Sequence, residues 1–224
     1  MLNNSFRTFF RLLSAIIIAS GLLLSPGKAL AQADDNILRE PLTQQYYQRL
    51  LKETEYCEGD TVIFISLARQ ELYLMQGINV LKRYSISSSK YGIGCQDGSG
   101  QTPEGIHRIY RKIGHKTAVP YIYASHYNTG KKAKLTQQPK DSRHDYVTSR
   151  IMWLEGVEEN FNCGGNVDSY HRDIYIHGTT EEGLIGATYS SGCIRMLNKD
   201  VIELYDLTPR LTYVVILNDI KSRL

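Results

Sequence analysis

The chain lacks a strong charge of either sign. Of its 224 residues, 26 are Lys or Arg and 23 are Asp or Glu. Three of the bases (Arg7, Arg11 and Lys28) fall in residues 1–31, which hold no acid, so the remainder carries 23 of each sign. A chain so near neutrality has no field to hold nucleic acid through its phosphates. It also lacks any Cys-x-x-Cys pair among its four cysteines (Cys57, Cys95, Cys163 and Cys193), which argues against a zinc ribbon or a thioredoxin-type redox site. No internal repeat or low-complexity tract is present, and a composition of 42% hydrophobic and 22% charged residues is that of a globular protein. Long apolar runs are missing too. The one candidate, Leu12 to Leu24, is broken by Ser14, Ser20 and Gly21 and falls short of the ~20 residues that a membrane span needs.

What is there begins with that run. Two arginines precede it, and Pro26 and small residues at Ala29, Ala31 and Ala33 follow it. This is the layout of an export signal, with cleavage expected before Gln32 or Asp34. The alternative is an uncleaved anchor, the only route to a membrane that the sequence offers. Either way the rest of the chain is expected outside the cytoplasm, in the periplasm. There, an even cysteine count suggests disulfides, but if Cys193 is kept free for chemistry, at most two of Cys57, Cys95 and Cys163 can pair.

Residues 32–59 read as a helical lead-in, with Leu42, Tyr46, Tyr47, Leu50 and Leu51 at helical spacing after Pro41. Strands are expected at 61–65, 71–75 and 80–86, joined by tight turns into an antiparallel meander, then at 106–113, 148–154, 173–177 and 211–217. Asn198–Leu207 reads as a helix with Asn198 as its N-cap. The polar stretch 126–147 carries Lys131, Lys132, Lys134, Lys140 and Arg143 and reads as a lid or a solvated insertion. The fold class is mainly β, with one short amino-terminal helix and one late helix.

The reactive residue types concentrate in His177-Gly178-Thr179 and Ser190-Ser191-Gly192-Cys193-Ile194-Arg195-Met196. An unperturbed thiol is mostly protonated at neutral pH, and a neighbouring imidazole can take its proton and later return it to a leaving amine. Period-2 alternation sends Ile174 and Ile176 to one face, and Tyr175 and His177 to the other. Gly192 allows a sharp turn and close approach of a substrate carbonyl, whose oxyanion nearby N–H groups could stabilise. Arg195 adds a fixed charge on the Cys193 face if the chain is extended there. The other histidines (His107, His115, His126, His144 and His171) have no metal-ligand spacing and read as surface or structural groups. His171 shares parity with His177 and is a reserve base if one strand runs unbroken between them.

These residues, with Gln70-Glu71-Leu72-Tyr73-Leu74, Thr102-Pro103-Glu104-Gly105 and Asn198-x-Asp200, resemble the L,D-transpeptidase catalytic domain (YkuD-like) family over residues 60–217, leaving 218–224 as a tail. The resemblance implies a β-sandwich and a thioester mechanism on peptidoglycan stem peptides, with Cys193 as nucleophile and His177 as general acid/base. It places Gly192, Ser190, Ser191, Arg195 and Gly178 around the substrate or oxyanion. Many members have histidine where this chain has Ser191. The third partner that orients His177 is open between a backbone carbonyl and a Ser190 or Ser191 hydroxyl. The reaction needs no metal, nucleotide or other cofactor. The expected product is a 3→3 cross-link between stems, or attachment of another amine acceptor such as a lipoprotein lysine. The rival outcomes are an L,D-carboxypeptidase, a hydrolase of lipoprotein–peptidoglycan links and a non-catalytic wall-binding module. A sortase fits poorly, because its His-to-Cys gap is longer.

Overall fold

The computed structural model describes residues 37–116, 120–142, 144 and 146–218. The export segment 1–31, Arg143 and the tail beyond residue 218 lie outside the described residues. Helix α1 runs over Pro41–Glu53, with Pro41 in its first turn, where a missing N–H costs nothing. The meander follows as β1 (Thr61–Ser66), β2 (Glu71–Gln76) and β3 (Asn79–Ser87), paired antiparallel in chain order as expected. Next come β4 (Gly105–Ile113), a hairpin of β5 (Tyr121–Ala124) and β6 (Tyr127–Lys132), β7 (Val147–Gly156), β8 (Tyr175–Thr179) and β9 (Ile194–Met196). Helix α2 (Asn198–Leu207) and β10 (Tyr213–Leu217) complete the order.

All ten strands form one sheet, ordered β4-β10-β1-β2-β3-β9-β8-β7-β5-β6, and a further β4–β7 pairing closes it on itself. The fold is mainly β, as the sequence predicts. Strand alternation then sorts the core. Ile63 and Ile65 of β1 point to an interior cluster with Leu72, Leu74, Ile174, Ile176, Ile194 and Met196, which α2 joins through Val201, Leu204 and Tyr205. Val62 and Phe64 point the other way, onto Tyr47 and Leu50 of α1. The lead-in helix therefore covers the outer face of β1 and β2.

Three expectations change. Asn198 is the first residue of α2 and not its N-cap; Leu197 occupies that position without a capping side chain, and the Asn198 N–H donates to Glu182 Oε1 (2.8 Å). The Asn198 side chain is drawn instead into a buried network with Thr148, Ser149, Glu182 and the Thr179 carbonyl. The polar stretch 126–147 is not a plain loop, because β6 occupies its first part. Chain 133–142 is pinned to the end of β8 by Thr136 N–H to Thr180 O (2.8 Å) and Gly183 N–H to Thr136 O (3.1 Å). Lastly, all four cysteines are free thiols.

His107 on β4 is fully buried, between the Gly105 carbonyl (3.1 Å from Nδ1) and the Ser169 hydroxyl (3.0 Å from Nε2). Burial pushes its imidazole down to about 4 from an ordinary 6.5. The unfolded chain binds this proton more readily than the folded one. The neutral ring's stabilisation is therefore complete above pH 6.5 and is lost as pH falls toward 4, to a total on the order of 3 kcal/mol. Urea unfolding between pH 7 and 4 is expected to show this loss in the native chain and a flatter profile in His107→Gln. Parallel profiles in the two proteins would refute it.

Candidate active site

Two short strands of the same sense bring the motif together. β8 and β9 pair in parallel, with Ile176 opposite Ile194 and His177 opposite Arg195. Parallel neighbours need a crossover, and residues 180–193 supply it. Ile174, Ile176 and Ile194 enter the interior cluster, while Tyr175 joins a second cluster with Tyr123, Ile151 and Trp153, against which Cys193 packs. His177 shares the Tyr175 face by alternation. Cys193 stands level with Tyr175, one strand across from His177 and two residues back. By strand geometry that offset is about 8 Å between Cα atoms, with the two side chains on one face. Cys193 is partly exposed, and His177 is buried at 1%.

The His177 ring is oriented by backbone. Its Nδ1 lies 2.7 Å from the Gly178 carbonyl oxygen, which can only accept, so Nδ1 carries the hydrogen and the neutral ring keeps its lone pair on Nε2. Of the partners left open by the sequence, the carbonyl is the one found. The Ser190 hydroxyl is committed elsewhere: it donates to the Cys193 carbonyl (2.6 Å) and accepts from Gly192 N–H (3.3 Å), which holds the turn before the cysteine. Ser191 is exposed. Gly178 must be glycine, since a Cβ there would meet Asn198 Oδ1 at 2.6 Å and the Thr148 carbonyl at 2.9 Å. Opposite this point β7 bulges, with Thr148 paired to Gly178 and Ile151 to His177, and Ser149 takes a left-handed φ of 62°. A bulge is a common device for aiming a side chain beside a site.

The sulfur has two backbone neighbours. Its S–H donates to the Asp173 carbonyl (3.2 Å), and the Tyr175 N–H donates to it (3.3 Å). Loss of the thiol proton removes the first contact and strengthens the second. Gly192 has φ 125°, which only glycine adopts readily, and its carbonyl accepts from the Thr102 hydroxyl at 3.0 Å. The Thr102-Pro103-Glu104-Gly105 turn thus fixes the peptide just before the nucleophile position.

Arg195 is 3% exposed and its Nη1 lies 3.0 Å from Glu181 Oε2, with Glu181 itself 1% exposed. Its charge is turned to that carboxylate and away from solvent. The other Glu181 oxygen accepts from Ser142 N–H (2.5 Å), so the pair ties β9 to chain 133–142. Beside this junction lies a cavity of about 850 Å³, lined by Ile122, Lys134, Leu135, Lys140, Tyr146 and Thr180 among others. His171 is in a turn, because β8 begins only at Tyr175. Its ring is exposed and sits 3.4 Å from Asp168, so the parity argument for a reserve base fails. Among the described residues no three His, Cys, Asp or Glu side chains converge as metal ligands.

Glu181 and Arg172 were not singled out from the sequence, and Asn198 was read only as a helix N-cap and a motif residue. Each acts through a partner far along the chain, and no local pattern marks such a contact.

Several known proteins are similar to this chain. YkuD of Bacillus subtilis (strain 168), named for L,D-transpeptidase, is 56% identical over 65 residues, which cover 27% of this chain and 40% of the relative. YqjB of the same organism, named likewise, is 45% identical over 47 residues, covering 21% and 27%. The matched stretches thus span less than half the length of these curated relatives. A solved L,D-transpeptidase from Mycobacterium smegmatis has a TM-score of 0.45 at 15% identity, covering 70% of this chain and 58% of that one. The family described as YkuD, the L,D-transpeptidase catalytic domain, matches residues 60–216. With that match across most of its length, the chain belongs to the L,D-transpeptidase catalytic domain family.

Proposed function

We propose that the protein is an exported peptidoglycan L,D-transpeptidase that works through a Cys193 acyl-enzyme. The observation that carries the reading is the β8–β9 pairing, with the His177 ring held as the Nδ1–H tautomer on the Cys193 face. In the first half-reaction His177 Nε2 takes the thiol proton and the sulfur attacks the amide carbonyl after the third residue of a tetrapeptide stem. The C–N bond breaks, the protonated His177 delivers its proton to the departing D-Ala amine, and a thioester remains. In the second, an acceptor amine loses a proton to His177 and attacks the thioester. The new amide forms and the sulfur leaves as thiolate. The broken amide supplies the energy, so neither nucleotide nor metal enters the scheme. Residues 1–31 carry the case for export to the periplasm, with membrane attachment only if that segment is retained.

Incubation with defined disaccharide-tetrapeptides, followed by separation and mass analysis of the muropeptides, tests the reading. The expected product is a 3→3 cross-linked dimer with release of one D-Ala per bond. Shortened monomers without dimers would mean that water resolves the thioester and the protein is an L,D-carboxypeptidase. Linkage to an added lysine-ended peptide would point to lipoprotein attachment. No change in any substrate would favour a wall-binding module.

A further inference from the structure

The turn before β8 carries a cation that the mechanism above does not use. Arg172 extends from this turn across to the segment 94–101, where Nη2 donates to the Gln101 carbonyl (2.7 Å) and Nη1 to the Gly94 carbonyl (3.3 Å). Two distances locate the guanidinium relative to the nucleophile. The Gln101 carbonyl oxygen that it grips lies 3.4 Å from where a Cβ on Gly192 would stand. The next residue, Asp173, supplies the carbonyl that the Cys193 sulfur touches at 3.2 Å. The guanidinium therefore grips a carbonyl that neighbours Gly192, and its own backbone is one residue from the carbonyl that the sulfur touches.

Its direct partners carry no charge. Both hydrogen-bond partners are neutral carbonyls, and among the described residues no carboxylate forms an ion pair with it. Burial disfavours the charged guanidinium, and the groups close enough to favour it are Cys95, Asp97 and Cys193. Of these, the Cys95 thiol is pushed up by its own burial and stays protonated. That leaves Asp97 and the Cys193 sulfur as the anions in reach. We propose that Arg172 is a positioning residue for the nucleophile, whose guanidinium, held by neutral carbonyls, favours the Cys193 thiolate. An opposite charge within about 4–6 Å favours an ionised form by roughly one to three pH units.

The other titratable or charged groups around the sulfur are His177 on β8, the Asp173 carboxylate, the Tyr175 phenol, and the Arg195–Glu181 pair at β9. The phenol is pushed up by burial and donates to Asp173 Oδ1 at 2.7 Å, so it stays neutral. The Arg195–Glu181 pair is closed on itself. Asp173 opposes a thiolate, and this makes a nearby cation more consequential.

The proposal rests on Cys193 being the reactive thiol, but its test needs no peptidoglycan. The rate of carbamidomethylation of Cys193 by iodoacetamide is measured from pH 5 to 10. Peptide-resolved mass spectrometry separates Cys193 from Cys57, Cys95 and Cys163. Arg172→Gln keeps an N–H donor for the Gln101 carbonyl and removes the charge; Arg172→Lys keeps the charge and loses the paired contact. The expected result is an alkylation midpoint raised by about one unit or more in Arg172→Gln and within about 0.3 unit of the native value in Arg172→Lys. An unchanged midpoint in Arg172→Gln, or an equal displacement in Arg172→Lys, would overturn the proposal and leave Arg172 as a loop clamp. Should Arg172→Gln fail to give a cooperative melting curve, Arg172→Lys decides alone, since a midpoint raised by a unit with the charge retained contradicts an electrostatic role. Native midpoints in both variants together with intact cross-linking would sink this inference and spare the transpeptidase reading. Absence of cross-linking with the expected midpoints would do the reverse.

Discussion

Cys193→Ala is expected to abolish turnover of tetrapeptide stems, with cross-linking reduced by at least about a thousand-fold, while the melting temperature stays close to native. The first expectation follows from covalent catalysis: without sulfur there is no acyl-enzyme, and a positioned imidazole with its surrounding dipoles recovers only a small part of the rate. The second follows from the surroundings of the side chain. Cys193 sits at the edge of the Tyr123, Ile151, Trp153 and Tyr175 cluster and is partly exposed, so its loss empties little packed volume. Intact-mass measurement after exposure to a carbapenem gives a second reading of the same site. One adduct is expected on the native chain and none on the variant. An adduct that survives Cys193→Ala would assign the nucleophile to another of the free thiols, and cross-linking by the variant would end the thiol mechanism altogether.

The largest effect on stability is expected at the pair that closes the site from behind. Arg195 and Glu181 are 3% and 1% exposed and 3.0 Å apart. Breaking such a pair from one side strands the remaining charge in the interior, at a cost of about 3–5 kcal/mol. Glu181→Gln isolates the charge effect, because its amide oxygen still accepts from Ser142 N–H. For a domain of this size the loss corresponds to a fall in melting temperature of roughly 10 °C. The double variant Glu181→Gln with Arg195→Met removes both charges and is expected to recover most of that loss. Chemical denaturation of the four proteins of this cycle checks it. A single-variant loss below about 1 kcal/mol, or a double variant no better than the single, would show that the pair is not what holds β9 against chain 133–142.

How much of this was legible in the residues varies with the range of the interaction. The meander β1–β3 could be read because its alternation and tight turns are local, and α2 because its apolar positions recur over consecutive turns. The bounds of β8 could not. Asp173 and Ile174 share its alternation, but Asp173 adopts a left-handed φ of 56° and ends a turn, so the ladder starts at Tyr175. β9 is three residues long and leaves too little pattern to detect. The hairpin β5–β6 lies at the edge of the sheet, where β6 is exposed along its whole length and shows no apolar face. Arg195 was expected near the substrate because alternation puts it on the Cys193 face and the family motif includes it, and its partner Glu181 is 14 residues away in a crossover that no periodicity marks.

The sequence by itself determined the chemical repertoire: one motif with a thiol, an imidazole and a glycine turn, on a mainly-β chain. It determined as well that Tyr175 and His177 would turn away from the interior, since isoleucine alternates with them and burial of apolar surface decides which face goes in. Only the tertiary structure decided that β8 and β9 run parallel, and hence that the ring and the sulfur share a face. It alone set the ring's tautomer through the Gly178 carbonyl, turned Arg195 to Glu181, and seated Arg172 on the Gly94 and Gln101 carbonyls. Each of these depends on a contact between segments far apart in the chain. Such contacts are fixed by the closure of the sheet around its core, which no stretch of sequence encodes on its own.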